Sequence, residues 1–102
     1  MSIQAVVDGQ ALTGATSSWQ YFKVTVPAGN TTLDVSTFGG SGDADLYVRY
    51  GALPTSANWD TRPYLNGNNE YARMTNIVAG EWYIGIYGYN GYSGLNLQAT
   101  SY

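Results

Sequence analysis

Gly42-Asp43-Ala44-Asp45-Leu46-Tyr47-Val48-Arg49-Tyr50-Gly51 alternates without a break. Ala44, Leu46, Val48 and Tyr50 fall on one side of an extended chain and Asp45, Tyr47 and Arg49 on the other, which is the period-2 signature of a strand with one buried face. Glycines at both ends permit tight turns. The stretch holds no catalytic motif; what it offers a partner is shape and aromatic surface.

The same pattern repeats on either side. From Trp19, the residues Phe22, Val24 and Val26 share one face and Tyr21, Lys23 and Thr25 the other, until Pro27-Ala28-Gly29-Asn30 forces a turn. Thr31–Phe38 follows with Leu33 and Val35 inward, and Gly39-Gly40-Ser41-Gly42 leads into the opening stretch. Periodicity weakens from Gly51 to Tyr64, where Pro54 and Pro63 confine pairing to an edge, so a functional loop is expected there. Asn66-Gly67 marks a turn, and Tyr71–Thr75 resumes alternation with Ala72 and Met74 inward. Glu81–Tyr89 places Trp82, Ile84 and Ile86 on one face and Tyr83, Tyr87 and Tyr89 on the other. A last strand, Leu95–Ser101, turns Leu95, Leu97 and Ala99 inward. Trp19 and Trp82 read as core. Residues 1 to 18 give only a weak strand around Gln10–Thr13, and 1–9 form a poorly specified N-terminal segment. Seven or eight short strands make this an all-β chain with one domain over 1–102, an antiparallel β-sandwich in which two half-buried sheets cover each other.

Composition agrees and excludes much else. Charged residues are only 11% of the 102, whereas there are 13 glycines and 10 tyrosines, so strand and turn formers outweigh helix formers. Four basic residues against seven acidic ones, with a pI near 4.3, argue against nucleic acid as a partner. No apolar run is long enough to span a bilayer, so no membrane role is expected. The chain has no cysteine and no histidine, which removes disulfides, thiolate chemistry, the usual general base and the commonest transition-metal ligand. Met1–Asp8 lacks a basic segment followed by an apolar one, so no signal peptide is read; either the protein stays inside or this is a piece of a longer precursor.

Several segments, in order, carry a resemblance: Trp19–Gly29, Gly40–Gly51, Asp60-Thr61-Arg62-Pro63-Tyr64, Gly67-Asn68-Asn69-Glu70, Ala79-Gly80-Glu81-Trp82-Tyr83 and Tyr92-Ser93-Gly94. Together they resemble the bacterial pre-peptidase C-terminal (PPC) domain, over about Gly9 to Tyr102. The resemblance implies a jelly-roll-like sandwich, related in architecture to collagenase collagen-binding domains, attached to secreted proteases and some polysaccharide-degrading enzymes and without catalysis of its own. It also implies a secreted or extracellular location. Members often carry cysteines where this chain has Thr61 and Ala72, so here the loop is expected to be held by packing and hydrogen bonds alone.

Four groups of residues are candidates for chemistry. Asp43 and Asp45 lie two apart on a strand, about 7 Å, a spacing that would suit an inverting glycosidase. Flanking glycines and Arg49 favour two ionised groups instead, and no acid-base partner converges on them, so no enzyme activity is expected. Asp43, Asp45, Asp60, Asn69 and Glu70 are hard oxygen donors; no cofactor is required, but calcium is an option, set against simple turn capping. Asp45, Arg49, Asp60 and Arg62 read as a structural ion-pair cluster. The ligand-binding candidates are Tyr83, Tyr87, Tyr89 and Tyr92 near a C-terminal hairpin, with Gly85, Gly88 and Gly91 leaving the rings uncovered, plus Trp59 and Tyr64 in the proline-bounded loop. The reading is a non-catalytic module presenting a tyrosine-rich face to an insoluble polysaccharide, a glycan or a collagen-like protein. Its alternatives are a free-standing oligomeric lectin-like protein and a cleaved structural pro-segment with no ligand.

Overall fold

In the computed structural model, residues 3–5, 8–63 and 68–102 are described. Among these residues seven strands follow one another: β1 Ile3–Ala5, β2 Asp8–Gly14, β3 Trp19–Val26, β4 Leu33–Phe38, β5 Ser41–Tyr50, β6 Glu70–Met74 and β7 Gly80–Ser101. They form two sheets. The first has the order β1-β3-β7-β5 and the second β2-β7-β4-β6. All neighbours are antiparallel except β1 and β3, which run parallel.

The two sheets share β7. This strand is 22 residues long; its first limb lies between β3 and β5 and its second between β2 and β4. Sequence reading expects two strands here, Glu81–Tyr89 and Leu95–Ser101, with a hairpin between them. The chain instead bends at a corner and continues. The register with β5 shifts between Asp43 and Ala44 and again between Ser41 and Asp43, the mark of bulges that turn a strand from one sheet into the next. Two glycines across the corner make it passable. Gly42 has φ of 96°, and a side chain there would collide with the carbonyl of Gly91.

The main core lies between the sheets and follows the alternation read from sequence. Phe22, Leu33, Val35, Leu46, Ile84, Ile86 and Leu97 are at most 1% exposed, and Trp82 closes one end. Trp19 is a correction: it sits half-buried on the outer face of the first sheet, because it shares its side of β3 with Tyr21 and Lys23. Tyr50, expected inward, is exposed at the strand's end with its ring tilted against Trp82.

The free edge of β5 explains the motif spacing. Every second N–H of this strand points away from β7 and needs an acceptor. Ala44 N–H donates to Asn68 Oδ1 (2.9 Å), Leu46 N–H to Glu70 Oε1 (2.5 Å), Val48 N–H to the carbonyl of Thr61 (2.9 Å) and Tyr50 N–H to Asp60 Oδ2 (2.7 Å). Two separated segments thus supply, in strand order, the partners of one edge. The loop after Gly51 is consequently held by hydrogen bonds, as the lack of cysteine requires, and by Pro54, which is buried.

Candidate binding face

Register fixes what stands on the outer face of the first sheet. Trp19, Tyr87 and Asp45 form one cross-strand row, Tyr21, Gly85 and Tyr47 the next, and Lys23, Tyr83 and Arg49 the third. Gly85 is at the centre. A Cβ there would lie 2.9 Å from both Pro54 Cγ and Trp19 Cζ3, so the missing side chain is what lets the loop and the indole lie down on the sheet. Trp19 stacks on Tyr21 at 5.6 Å between ring centroids and leans on Tyr47 at 4.9 Å and on Tyr87 at 5.0 Å. The Arg62 guanidinium rests 4.7 Å above the Tyr47 ring. Tyr21 and Tyr47, read as outward from alternation alone, are therefore buried in a second, aromatic core roofed by the loop.

What remains open is one side of that roof. Tyr87 is half-buried with Trp19 behind it, and Tyr89, on the same side of the strand, is 62% exposed. Tyr83 is half-buried and donates its hydroxyl to Glu81 Oε2 (3.0 Å), beside the Lys23–Glu81 ion pair. Trp59 is exposed on the loop, and Tyr64 lies outside the described residues. Asp45 stands across from Tyr87; burial first, then the charge of Asp43, pushes its carboxyl up, while Arg62 pulls it back. Asp43 Oδ1 is enclosed without a hydrogen-bond partner among the described residues.

Several expectations change. Tyr92 does not belong to an exposed face: it is 3% exposed, packed in the main core, and accepts a 2.6 Å hydrogen bond from Gln20 Nε2. Past the corner, parity resumes with Tyr92 inward, and Gly14 opposite leaves room for its ring. Its burial raises the phenol pKa. The glycines do not uncover rings either, since the space beside Gly85 is filled by Trp19 and Pro54 and that beside Gly88 by the backbone of Ala15.

The oxygen donors Asp43, Asp45, Asp60, Asn69 and Glu70 do not converge. Asp60 and Glu70 are spent on the β5 edge and Asn69 Oδ1 accepts from Gly39 N–H (3.1 Å), while Asp43 and Asp45 belong to the outer face. Among the described residues, no three acidic side chains gather where a metal ion could sit. Nor do Asp45, Arg49, Asp60 and Arg62 form one ion-pair cluster. Arg49 donates to the carbonyl of Leu53 (3.2 Å), Asp60 accepts from the Tyr50 N–H (2.7 Å), and the charge of Arg62 acts on Asp45. Strand alternation could not show the Lys23–Glu81 and Asp34–Arg73 ion pairs found among the described residues, because each joins strands whose pairing is set by the fold.

Residues 19–88 match the family model of the bacterial pre-peptidase C-terminal domain, a span that contains β3 to β6, the loop and the first limb of β7. The chain belongs to this family. Its sequence is 46% identical over 89 residues to the alkaline serine exoprotease A of Vibrio alginolyticus, covering 87% of this chain and 16% of that protein. It is 36% identical over 94 residues to a microbial collagenase of Vibrio parahaemolyticus, covering 87% of this chain and 11% of the collagenase. The chain thus spans a small part of the curated relatives it matches. The solution structure of vEP C-ter 100 superposes with a TM-score of 0.76 at 40% identity, over 93% of each chain. As a PPC domain the chain is consistent with an accessory part of a protease, and the remainder of each relative lies outside the match.

Proposed function

We propose that this PPC domain is a non-catalytic substrate-binding module of an extracellular hydrolase, holding an extended polymer, foremost a collagen-like protein, against Tyr87 and Tyr89. The observation that carries this reading is the open side of the aromatic roof. Tyr89 projects with 62% of its surface exposed, and Tyr87 is braced from behind by Trp19, so both rings are presented at little cost in side-chain freedom. Flat tyrosine faces suit the prolines of a collagen-like chain. Asp45, across the strand from Tyr87, supplies a carboxylate acceptor for hydroxyl or amide donors.

The relatives support this. A protease named for a serine mechanism and a collagenase carry the same domain, which suits a role in holding substrate rather than in bond cleavage. Another relative is named an extracellular protease, in Xanthomonas campestris, which supports an extracellular site of action. Tyr83 and Trp59 flank the two principal rings, and Tyr92 supports the strand from inside. The test is co-sedimentation with collagen fibres. The Tyr87→Ala/Tyr89→Ala double variant should lose binding while keeping its melting temperature, and undiminished binding in that variant would remove this face from consideration.

A further inference from the structure

The outer face of the second sheet carries a cluster that the first face does not explain. Asp34 on β4 stands directly across from Arg73 on β6, and Arg73 grips it with two hydrogen bonds, Nε to Oδ1 (2.8 Å) and a terminal nitrogen to Oδ2 (3.2 Å). The Tyr102 hydroxyl donates to the same carboxylate at 3.0 Å, and Tyr71, two residues before Arg73 on the same side of β6, lies with its ring centroid 5.7 Å from the Arg73 guanidinium. Arg73 first, then the two phenols, holds the Asp34 carboxyl below the usual carboxylate range. Yet the rings are open: Tyr71 is 51% exposed and Tyr102 54%.

The bidentate pair stabilises the β4–β6 edge, but fixing an arginine and two tyrosines costs rotamer freedom that offsets part of that gain. As a ligand platform it is pre-organised. One anion and one cation neutralise each other, so the patch attracts neither a polyanion nor a polycation. The guanidinium has five N–H groups and two are engaged with Asp34, leaving donors for hydroxyl oxygens, while the carboxylate keeps its partners fixed. Two flat rings at the sides of a neutral, hydrogen-bonding centre match a chain of sugar rings.

We propose that this face is a second binding site, for an uncharged polysaccharide, in which Tyr71 and Tyr102 stack on sugar rings and the Asp34–Arg73 pair binds hydroxyls. The outer faces of two packed sheets point in opposite directions, so the domain has a glycan face on one side and the Tyr87–Tyr89 face on the other. It joins two polymers rather than gripping one.

Affinity electrophoresis in native gels containing laminarin, xyloglucan or hydroxyethyl cellulose tests this, with polygalacturonate and heparin as charged comparisons. At least one neutral polymer should retard the wild-type domain. Tyr71→Ala/Tyr102→Ala should weaken that retardation about tenfold or more, and Tyr87→Ala/Tyr89→Ala should leave it unchanged. Co-sedimentation with collagen reads the other face separately, so the two sites can fail independently. No retardation by any neutral polymer, retardation by polyanions alone, or equal retardation of wild type and the Tyr71/Tyr102 variant would each overturn the proposal. All four tyrosines are at least partly exposed, and melting temperatures near wild type would confirm that the variants fold.

Discussion

Asn68→Ala removes three hydrogen bonds from one buried point and should destabilise the domain by about 3 kcal/mol. The side chain is 7% exposed; its oxygen accepts from Ala44 N–H at 2.9 Å, and its amide donates to the carbonyls of Gly39 (2.9 Å) and Ser41 (3.0 Å). Alanine leaves the buried Ala44 N–H without an acceptor, at roughly 1–3 kcal/mol, and forfeits two partly buried bonds at about 0.5–1.5 kcal/mol each. For a domain of this size that is a fall in Tm of about 12–24 °C. The assay is thermal and urea unfolding followed by tryptophan fluorescence, since Trp82 reports the main core. Asn68→Asp sharpens it. The carboxylate still accepts from Ala44 but faces two carbonyl oxygens, so at neutral pH it should be no better than alanine. Protonation lets the group donate again, and part of the loss should return as pH falls through its raised pKa. A Tm change under about 5 °C for alanine, or an aspartate variant insensitive to pH, would refute the view that Asn68 seals the β5 edge.

Other outcomes follow from single contacts. Gly85→Ala should push Pro54 and Trp19 off the sheet, since its Cβ would meet both at 2.9 Å, and the near-ultraviolet circular dichroism of the aromatic roof should weaken with it. Tyr92→Ala should cost about 3–5 kcal/mol as a core truncation, whereas Tyr89→Ala, at an exposed site, should stay within about 0.5 kcal/mol of wild type. Asp45 has its carboxyl raised in the fold, so its ionisation opposes folding: stability is lost as pH rises above 3.8 through the raised value. Asp45→Asn should therefore gain stability at pH 7 relative to wild type and show no gain near pH 3, which a pair of denaturation curves decides.

Local alternation determined most of the architecture. Phe22-x-Val24-x-Val26, Leu46-x-Val48 and Ile84-x-Ile86 can bury their apolar side in only one way, because a slip of one residue would turn every side chain over. The strands from β3 to β6, the sandwich and the main core are therefore written in the chain itself, as is the family, through motifs at fixed spacing, whereas the continuity of β7 is not. Tertiary structure decided which outward residues are truly outside. Tyr47 and Tyr89 share an outward parity on their strands, yet one is 2% and the other 62% exposed, because a loop from elsewhere roofs the first and a corner lifts the second clear. The same holds for chemistry: Asp60, Asn68 and Glu70 look like surface donors until β5 brings unpaired N–H groups to them, and Asp34 finds Arg73 only because β4 pairs with β6. Parity is a property of one strand and is readable from it; cover and partnership depend on segments dozens of residues away, which only the closed fold brings together.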